Sequence, residues 1–289
     1  MKKKKGLSTG FRDLDSYTLF YPGDLIVLDG SLSMNTVALA SDIAQLVTKQ
    51  RNSVLIFTLI TNTTIFMSKF VSLNAQNNFW EDGLPIKNGA DYQQAVGDID
   101  NFSLFIDDIA RSVIQIRKSV KEKKEEEDVT LIIIDYILLM TELEKSEITD
   151  RRQELIEIIR EIKILARELN IPILITTHLE RIVKHRKDKK PILSDSIVAE
   201  VIKQEADVLL LLNKKESYNE DDEPEIADLT VTKNHNGKTG SIKLKLNTYP
   251  QRFVDVETGS KNGTEDQHRH SEFINTYLLI LKHGTKIIL

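Results

Sequence analysis

Two stretches carry the residue types from which a phosphate-handling site is built. Gly30-Ser31-Leu32-Ser33-Met34-Asn35-Thr36-Val37 follows an apolar run that ends at Asp29. It lines up with the phosphate loop G-x-x-x-x-G-K-[ST], in which backbone N–H groups cradle phosphates, a lysine neutralises them and a hydroxyl holds magnesium. Gly30 takes the first glycine position, Asn35 the second, Thr36 the lysine and Val37 the hydroxyl. Asparagine tolerates a positive φ better than most residues, so the loop is expected to keep its shape. Thr36 brings no positive charge, and Val37 no oxygen for a cation. Backbone N–H groups at the helix start remain for a weak anion contact. The second stretch, Thr130-Leu131-Ile132-Ile133-Ile134-Asp135-Tyr136, is an apolar strand closed by a carboxylate. That is the form of a Walker B aspartate, so Asp135 is the candidate magnesium ligand.

These residues need a scaffold that brings strand ends together. Six short apolar runs are Asp24–Asp29, Ser53–Leu59, Ser103–Asp107, Thr130–Asp135, Pro172–Thr177 and Asp207–Leu212. Continuous rather than alternating apolar character predicts strands covered on both faces, as in a parallel sheet flanked by helices. The intervening pattern agrees. Between Arg151 and Asn170, residues Leu155, Ile158, Ile159, Ile162, Leu165 and Leu169 recur at helical spacing and predict one apolar face. Ligands in such open sheets bind beyond the carboxyl ends of the strands, where both candidate stretches fall. Later, Ala227–Lys233 and Ser241–Leu246 alternate around Asn234-His235-Asn236-Gly237-Lys238-Thr239-Gly240. This predicts an antiparallel hairpin with Asn-Gly as its turn signal.

Charge and composition exclude several classes. The chain has 289 residues, with 39 basic against 44 acidic, a net charge of −5. A protein that coats nucleic acid is usually basic, so single-stranded DNA is expected as a weak, local ligand at most. The absence of cysteine excludes disulfide scaffolds, thiol catalysis and cysteine-bound zinc. No apolar run approaches the ~20 residues needed to cross a bilayer. No apolar segment follows Met1-Lys2-Lys3-Lys4-Lys5 as a signal peptide requires, so a cytoplasmic protein with a solvated basic tip is expected. Lys118–Asp128 reads as a solvated helix end and loop, and Lys214–Glu225 as an acidic loop. His178 with His185, and His268 with His270, lack a surrounding carboxylate template and read as loop or surface residues. Phe273–Leu281 fits either an ordinary packed terminal element or a helix for a partner.

Ordered segments across most of the chain resemble the C-terminal motor domain of DnaB-type replicative DNA helicases. They are Ser8-Thr9-Gly10-Phe11-Arg12-Asp13-Leu14-Asp15, Pro22-Gly23-Asp24-Leu25-Ile26, Ser33-Met34, Val54–Leu59 and Ile133-Ile134-Asp135-Tyr136 with Leu139-Met140. Leu165–Pro172, Gln204-Glu205-Ala206-Asp207 and Lys233-Asn234-His235-Asn236-Gly237 follow in the same order. The resemblance implies a RecA-like α/β fold, a P-loop-type sheet with helices on both faces. The domain is expected over residues 8–255, after a basic tip over 1–7 and before a C-terminal extension over 256–289. It implies ATP and magnesium as cofactors. The partners it implies are further copies of the chain, in a hexameric ring or another homo-oligomer, and replication proteins including a replicative helicase.

Residue by residue, the implied chemistry is largely missing. By resemblance, Ile60 stands where the family carries its catalytic glutamate, Leu138 where it carries a glutamine after the Walker B pair, and His178 at a sensor glutamine. His235 stands at the arginine finger that reaches a neighbour's ATP, two residues after a retained Lys233. The vestigial nucleotide-binding set is therefore Gly30, Ser31, Ser33, Met34, Asn35, Thr36, Val37 and Lys233. Ile197-Val198-Ala199-Glu200 replaces a DNA-contacting segment that contains arginine and glycine. The reading that follows is a degenerate paralogue in DNA replication, with lost or weak ATP hydrolysis, acting by binding or assembly. The alternatives are an active ATP-dependent helicase domain and a generic nucleotide-binding switch.

Overall fold

The computed structural model describes residues 5–30, 36–75, 80–81, 84–85, 94, 96–97, 102–137, 140–141, 151–177, 197–214, 226–248 and 251–256. The first half runs α1 (Arg12–Asp15), β1 (Leu25–Gly30), α2 (Thr36–Lys49), β2 (Ser53–Thr58) and α3 (Thr63–Ala75). A small pair, β3 (Trp80–Glu81) and β4 (Leu84–Pro85), precedes β5 (Leu104–Asp107) and α4 (Val113–Glu126). Then come β6 (Val129–Asp135), α5 (Arg151–Leu169), β7 (Ile173–Thr177), α6 (Ile197–Glu205) and β8 (Val208–Lys214). The described chain closes with β9 (Ile226–Asn234), β10 (Gly240–Thr248) and β11 (Gln251–Asp255).

Nine strands form one sheet in the order β11-β10-β9-β8-β1-β7-β6-β2-β5. The six apolar runs all become its parallel strands, from β8 to β5. Their continuous apolar character has a direct cause, because successive side chains point to opposite faces and both faces are covered. Ile26, Leu28, Ile133, Leu174 and Leu210 join one core with α2 and α3. Leu25, Val27, Ile132, Ile134, Ile173 and Ile175 join the other with α4, α5 and α6. Each such side chain contributes about 1.5–3 kcal/mol when fully buried.

Local signals place the helix ends. Ser112 and Gln115 form a reciprocal capping box at the start of α4, satisfying N–H groups that a helix start leaves unpaired. The α5 helix stops at Leu169. Asn170 takes φ +53°, its N–H bonds the carbonyl of Arg167, and the N–H of Ile171 bonds that of Ala166. This is the Schellman arrangement, which asparagine tolerates.

The antiparallel end differs from expectation in two ways. Five residues, 235–239, separate β9 from β10, and the positive φ falls on Gly240 at +154° rather than on Gly237. Gly237 serves a different need: a Cβ there would collide with the carbonyl oxygen of Tyr17. Asn-Gly thus permits close docking of a longer loop instead of forming a two-residue turn. The chain also adds an edge strand, β11, that the alternation does not reveal. Its outer edge is covered, since the Phe253 N–H donates to Asp42 of α2 at 2.6 Å and Asp255 accepts from the Arg12 N–H at 2.9 Å. Covering an edge in this way blocks pairing with another chain.

Candidate nucleotide end and an ionic amino end

Parallel register brings the ends of distant sequence segments level. Gly30 pairs with Leu212, Asp29 with Thr177, and Thr58 with Asp135, so these residues share the carboxyl edge of the sheet. Asp135 closes β6 and is 2% exposed. Its Oδ1 accepts a 2.6 Å hydrogen bond from Thr176 Oγ1, and its carbonyl accepts the Leu59 N–H at 2.6 Å. The peptide between Asp135 and Tyr136 is cis.

Thr36 opens α2 and is completely buried, while Val37 beside it is half-buried. Ile60 is half-buried in the short connection after β2, where Thr58 Oγ1 lies 3.0 Å from both the carbonyl and the hydroxyl of Thr61. Ser31, Ser33, Met34, Asn35, Leu138 and His178 lie outside the described residues, as do His185, His268, His270 and Phe273–Leu281. A magnesium nucleotide needs a cation near its phosphates and oxygen ligands for the metal. Asp135 supplies a carboxylate. Thr36, Val37 and Ile60 supply neither a charge nor an exposed oxygen, so the donor set at these positions fits the group poorly. Among the described residues, no cluster of three or more metal-ligating side chains occurs.

Lys233 and His235 occupy the other end. Asn234 pairs with Val208, the first residue of β8, so His235 follows at the amino edge of the parallel strands. A strand rises about 3.3 Å per residue, which separates the two edges by about 16 Å. The Lys233 ammonium donates to the carbonyls of Lys203 and Gln204 at 2.6 and 2.9 Å, closing the last turn of α6. Lysine suits that position, where helix carbonyls are unpaired and the dipole is negative. Burial depresses its pKa from the ordinary value.

Asp207 organises the rest of this edge. Its carboxylate accepts the Leu25 N–H at 2.7 Å, forms an ion pair with the buried Lys163, and lies 3.2 Å from His235 Nδ1. Its carbonyl accepts the His235 N–H at 3.0 Å. Asp24 stands nearby with its pKa raised, first by burial, against a lowering hydrogen bond from the Tyr21 N–H. Neither this ion pair nor Asp42 stands out in the sequence. The only signal for Lys163 is a lysine bordering the apolar arc of α5 (Ile159, Ile162, Ala166). Nothing in the sequence announces its partner.

Asp42 is a separate buried carboxyl group on α2. Burial pushes its pKa from the ordinary 3.8 up to about 8, against the Phe253 hydrogen bond and the nearby Arg252 and Lys49. Its second oxygen has no hydrogen-bond partner among the described residues.

Comparison with known proteins accounts for the shared architecture. Residues 6–255 match the family described as DnaB-like helicase C terminal domain. The chain is 33% identical over 260 residues to the replicative DNA helicase DnaB of Geobacillus stearothermophilus, covering 87% of this chain and 57% of that protein. A probable replicative DNA helicase of Trieres chinensis is 34% identical over 261 residues, covering 86% of this chain and 57% of that one. The chain therefore spans little more than half the length of these relatives. Among solved structures, a DnaB-like replicative helicase described with its interactions with primase superposes with a TM-score of 0.79 at 24% identity, covering 88% of this chain and 62% of that one. The RadB recombinase gives 0.55 at 18% identity, covering 87% and 100%. Both likenesses establish a RecA-like fold, and with the match over residues 6–255 the chain belongs to the family of DnaB-like helicase C-terminal domains.

Proposed function

We propose that this chain acts in DNA replication as a degenerate DnaB-type domain whose ATP hydrolysis is lost or weak, and that it works by binding and assembly. One observation carries the reading. Gly30 closes β1 and Asp135 closes β6 at the carboxyl edge, yet the positions that the resemblance assigns to charged and hydroxyl groups hold Thr36, Val37 and Ile60. Removing one group that stabilises transition-state charge typically costs about 2.7–4 kcal/mol of barrier. A neutral group at an arginine-finger position forfeits a further ~10³–10⁵ in rate. Even with non-additivity, little turnover remains. Gly30, Ser31, Ser33, Met34, Asn35, Thr36 and Val37 form a vestigial nucleotide set, and Lys233, at the opposite edge of the sheet, belongs to it only by reaching a neighbouring copy. ATP binds weakly at best, with Asp135 as the magnesium ligand if it binds.

In this reading residues 8–255 form the working domain, with a basic tip before it and an extension over 256–289. It operates in the cytoplasm, and among the described residues no helix is long and apolar enough to cross a membrane. Its partners are further copies of itself, in a ring or another homo-oligomer, or an intact replicative helicase or associated replication protein. Single-stranded DNA contributes weakly.

A second reading, an active ATP-dependent helicase domain, draws support from Asp135, whose carboxylate is retained and braced by Thr176. ATP turnover by the purified protein, with and without single-stranded DNA and beside a mock preparation, separates the two. Turnover at the mock level supports the binding role. DNA-stimulated turnover above it establishes the second reading.

A further inference from the structure

We propose that Asp207 is a positioning residue for His235: it holds the imidazole as the Nδ1–H tautomer and presents Nε2 at the surface as a proton-controlled contact. Hydrogen-bond capacity fixes the tautomer. Asp207 Oδ2 is engaged by the Leu25 N–H and by Lys163, and Oδ1 faces His235 Nδ1 at 3.2 Å. An ionised carboxylate only accepts, so Nδ1 must carry the hydrogen. Nε2 is then the outward nitrogen, on a side chain 54% exposed.

The backbone around His235 is fixed from several sides. The Asp207 carbonyl takes the His235 N–H, and the Tyr17 carbonyl takes both Asn234 Nδ2 at 3.0 Å and the Lys238 N–H at 3.1 Å. Asn236 Nδ2 reaches Asp24 at 3.4 Å. Gly237 permits the loop to press against Tyr17. A histidine on a loop held this way keeps one direction, and the Asp207 carboxylate fixes which nitrogen faces out.

The charge consequence is specific. A neutral ring presents a lone pair at Nε2 and repels anions. A protonated ring presents an N–H donor and a positive charge. The charged groups around the pair are Asp207 before β8, Asp24 before β1, Lys163 on α5, Lys233 on β9, and Lys203 and Glu205 on α6. A second copy of the chain carries a net charge of −5, so a cation at this edge favours its approach. That last step rests on the assembly reading above. The tautomer does not.

Two measurements separate them. In 15N-histidine-labelled protein, the resonances lost in His235→Gln identify this ring. The neutral form is expected to show a protonated Nδ1 and a bare Nε2. Asp207→Asn, whose amide can donate to Nδ1, shifts the ring toward the Nε2–H form. A wild-type ring already in the Nε2–H form overturns the proposal, whether or not the Asn variant folds. Sedimentation of the wild type at pH 6 and 8 then tests the contact. Self-association is expected to tighten roughly two- to five-fold at pH 6, the scale of one exposed charge pair, and His235→Gln abolishes the difference. An Nδ1–H ring without that difference removes the contact between copies and leaves the positioning role standing.

Discussion

At the carboxyl edge of the parallel strands, Thr36 and Val37 open α2 beyond Gly30, and Ile60 follows β2, the neighbour of the strand that ends at Asp135. At the amino edge, about 16 Å away at ~3.3 Å per residue, Asp207 gathers Lys163, His235 and the N–H of Leu25. Thr36, Val37 and Ile60 bring no charge to the first edge, while the second holds the buried ion pair of Lys163 with Asp207. The strands between them remain paired in one continuous sheet. The contrast teaches where the sheet is held: burial on both faces stabilises the strands, and the amino edge adds an ion pair that the carboxyl edge lacks at Thr36, Val37 and Ile60.

The largest effect is expected at the amino edge. Asp207→Ala strips Lys163 of its partner while leaving the ammonium buried. Breaking such a pair costs about 3–5 kcal/mol, to be read from urea unfolding. A loss below about 1 kcal/mol would mean that the ion pair is ornamental and would erase the contrast between the edges.

Asp42 tests the ground between the edges through pH. Its folded pKa, about 8, lies above the ordinary 3.8, so the folded state binds the proton more tightly. Its contribution to stability is therefore full below about pH 4 and is lost as pH rises through 8. Asp42→Asn removes that dependence. The two proteins should differ little at pH 4, and the wild type should then lose stability relative to the variant between pH 4 and 8, by at most ~1.4 kcal/mol per pH unit. Equal pH profiles for the two proteins would place the carboxyl in contact with solvent or a cation instead.

Smaller effects belong to the carboxyl edge. Thr176→Val deletes the donor to the Asp135 carboxylate, and hydrogen bonds to charged groups contribute about 1.5–3 kcal/mol. Smallest of all, Ile60→Glu at a half-buried connection should move stability by no more than ~0.5 kcal/mol in either direction. A large loss there would show that Ile60 has acquired a packing role, and the edge would then be rebuilt rather than vacated.

Much of the fold is legible in the sequence because its signals are local. Every apolar run becomes a strand, and Leu155–Leu165 marks the buried face of α5. The β11 strand escapes because Gln251–Asp255 is short, and Phe253 alone among Arg252, Val254 and Asp255 faces fully inward. The amino-edge cluster escapes for another reason. Lys163 and Asp207 are 44 residues apart, and only the packing of α5 against the start of β8 brings them together. At the carboxyl edge the identities of Thr36, Val37 and Ile60 are plain. That Asp135 is braced by Thr176 depends on β6 and β7 lying side by side.

The central proposal is that the carboxyl edge binds ATP weakly at best. Calorimetric titration of magnesium ATP into the wild type, and into a Thr36→Lys, Val37→Thr, Ile60→Glu variant, tests it most directly. The expected wild-type result is no saturation at Kd values tighter than about 1 mM, weaker than about −4 kcal/mol of binding, with the variant binding measurably tighter. Micromolar binding by the wild type would contradict the account, because it would mean that other groups have replaced the missing lysine and hydroxyl.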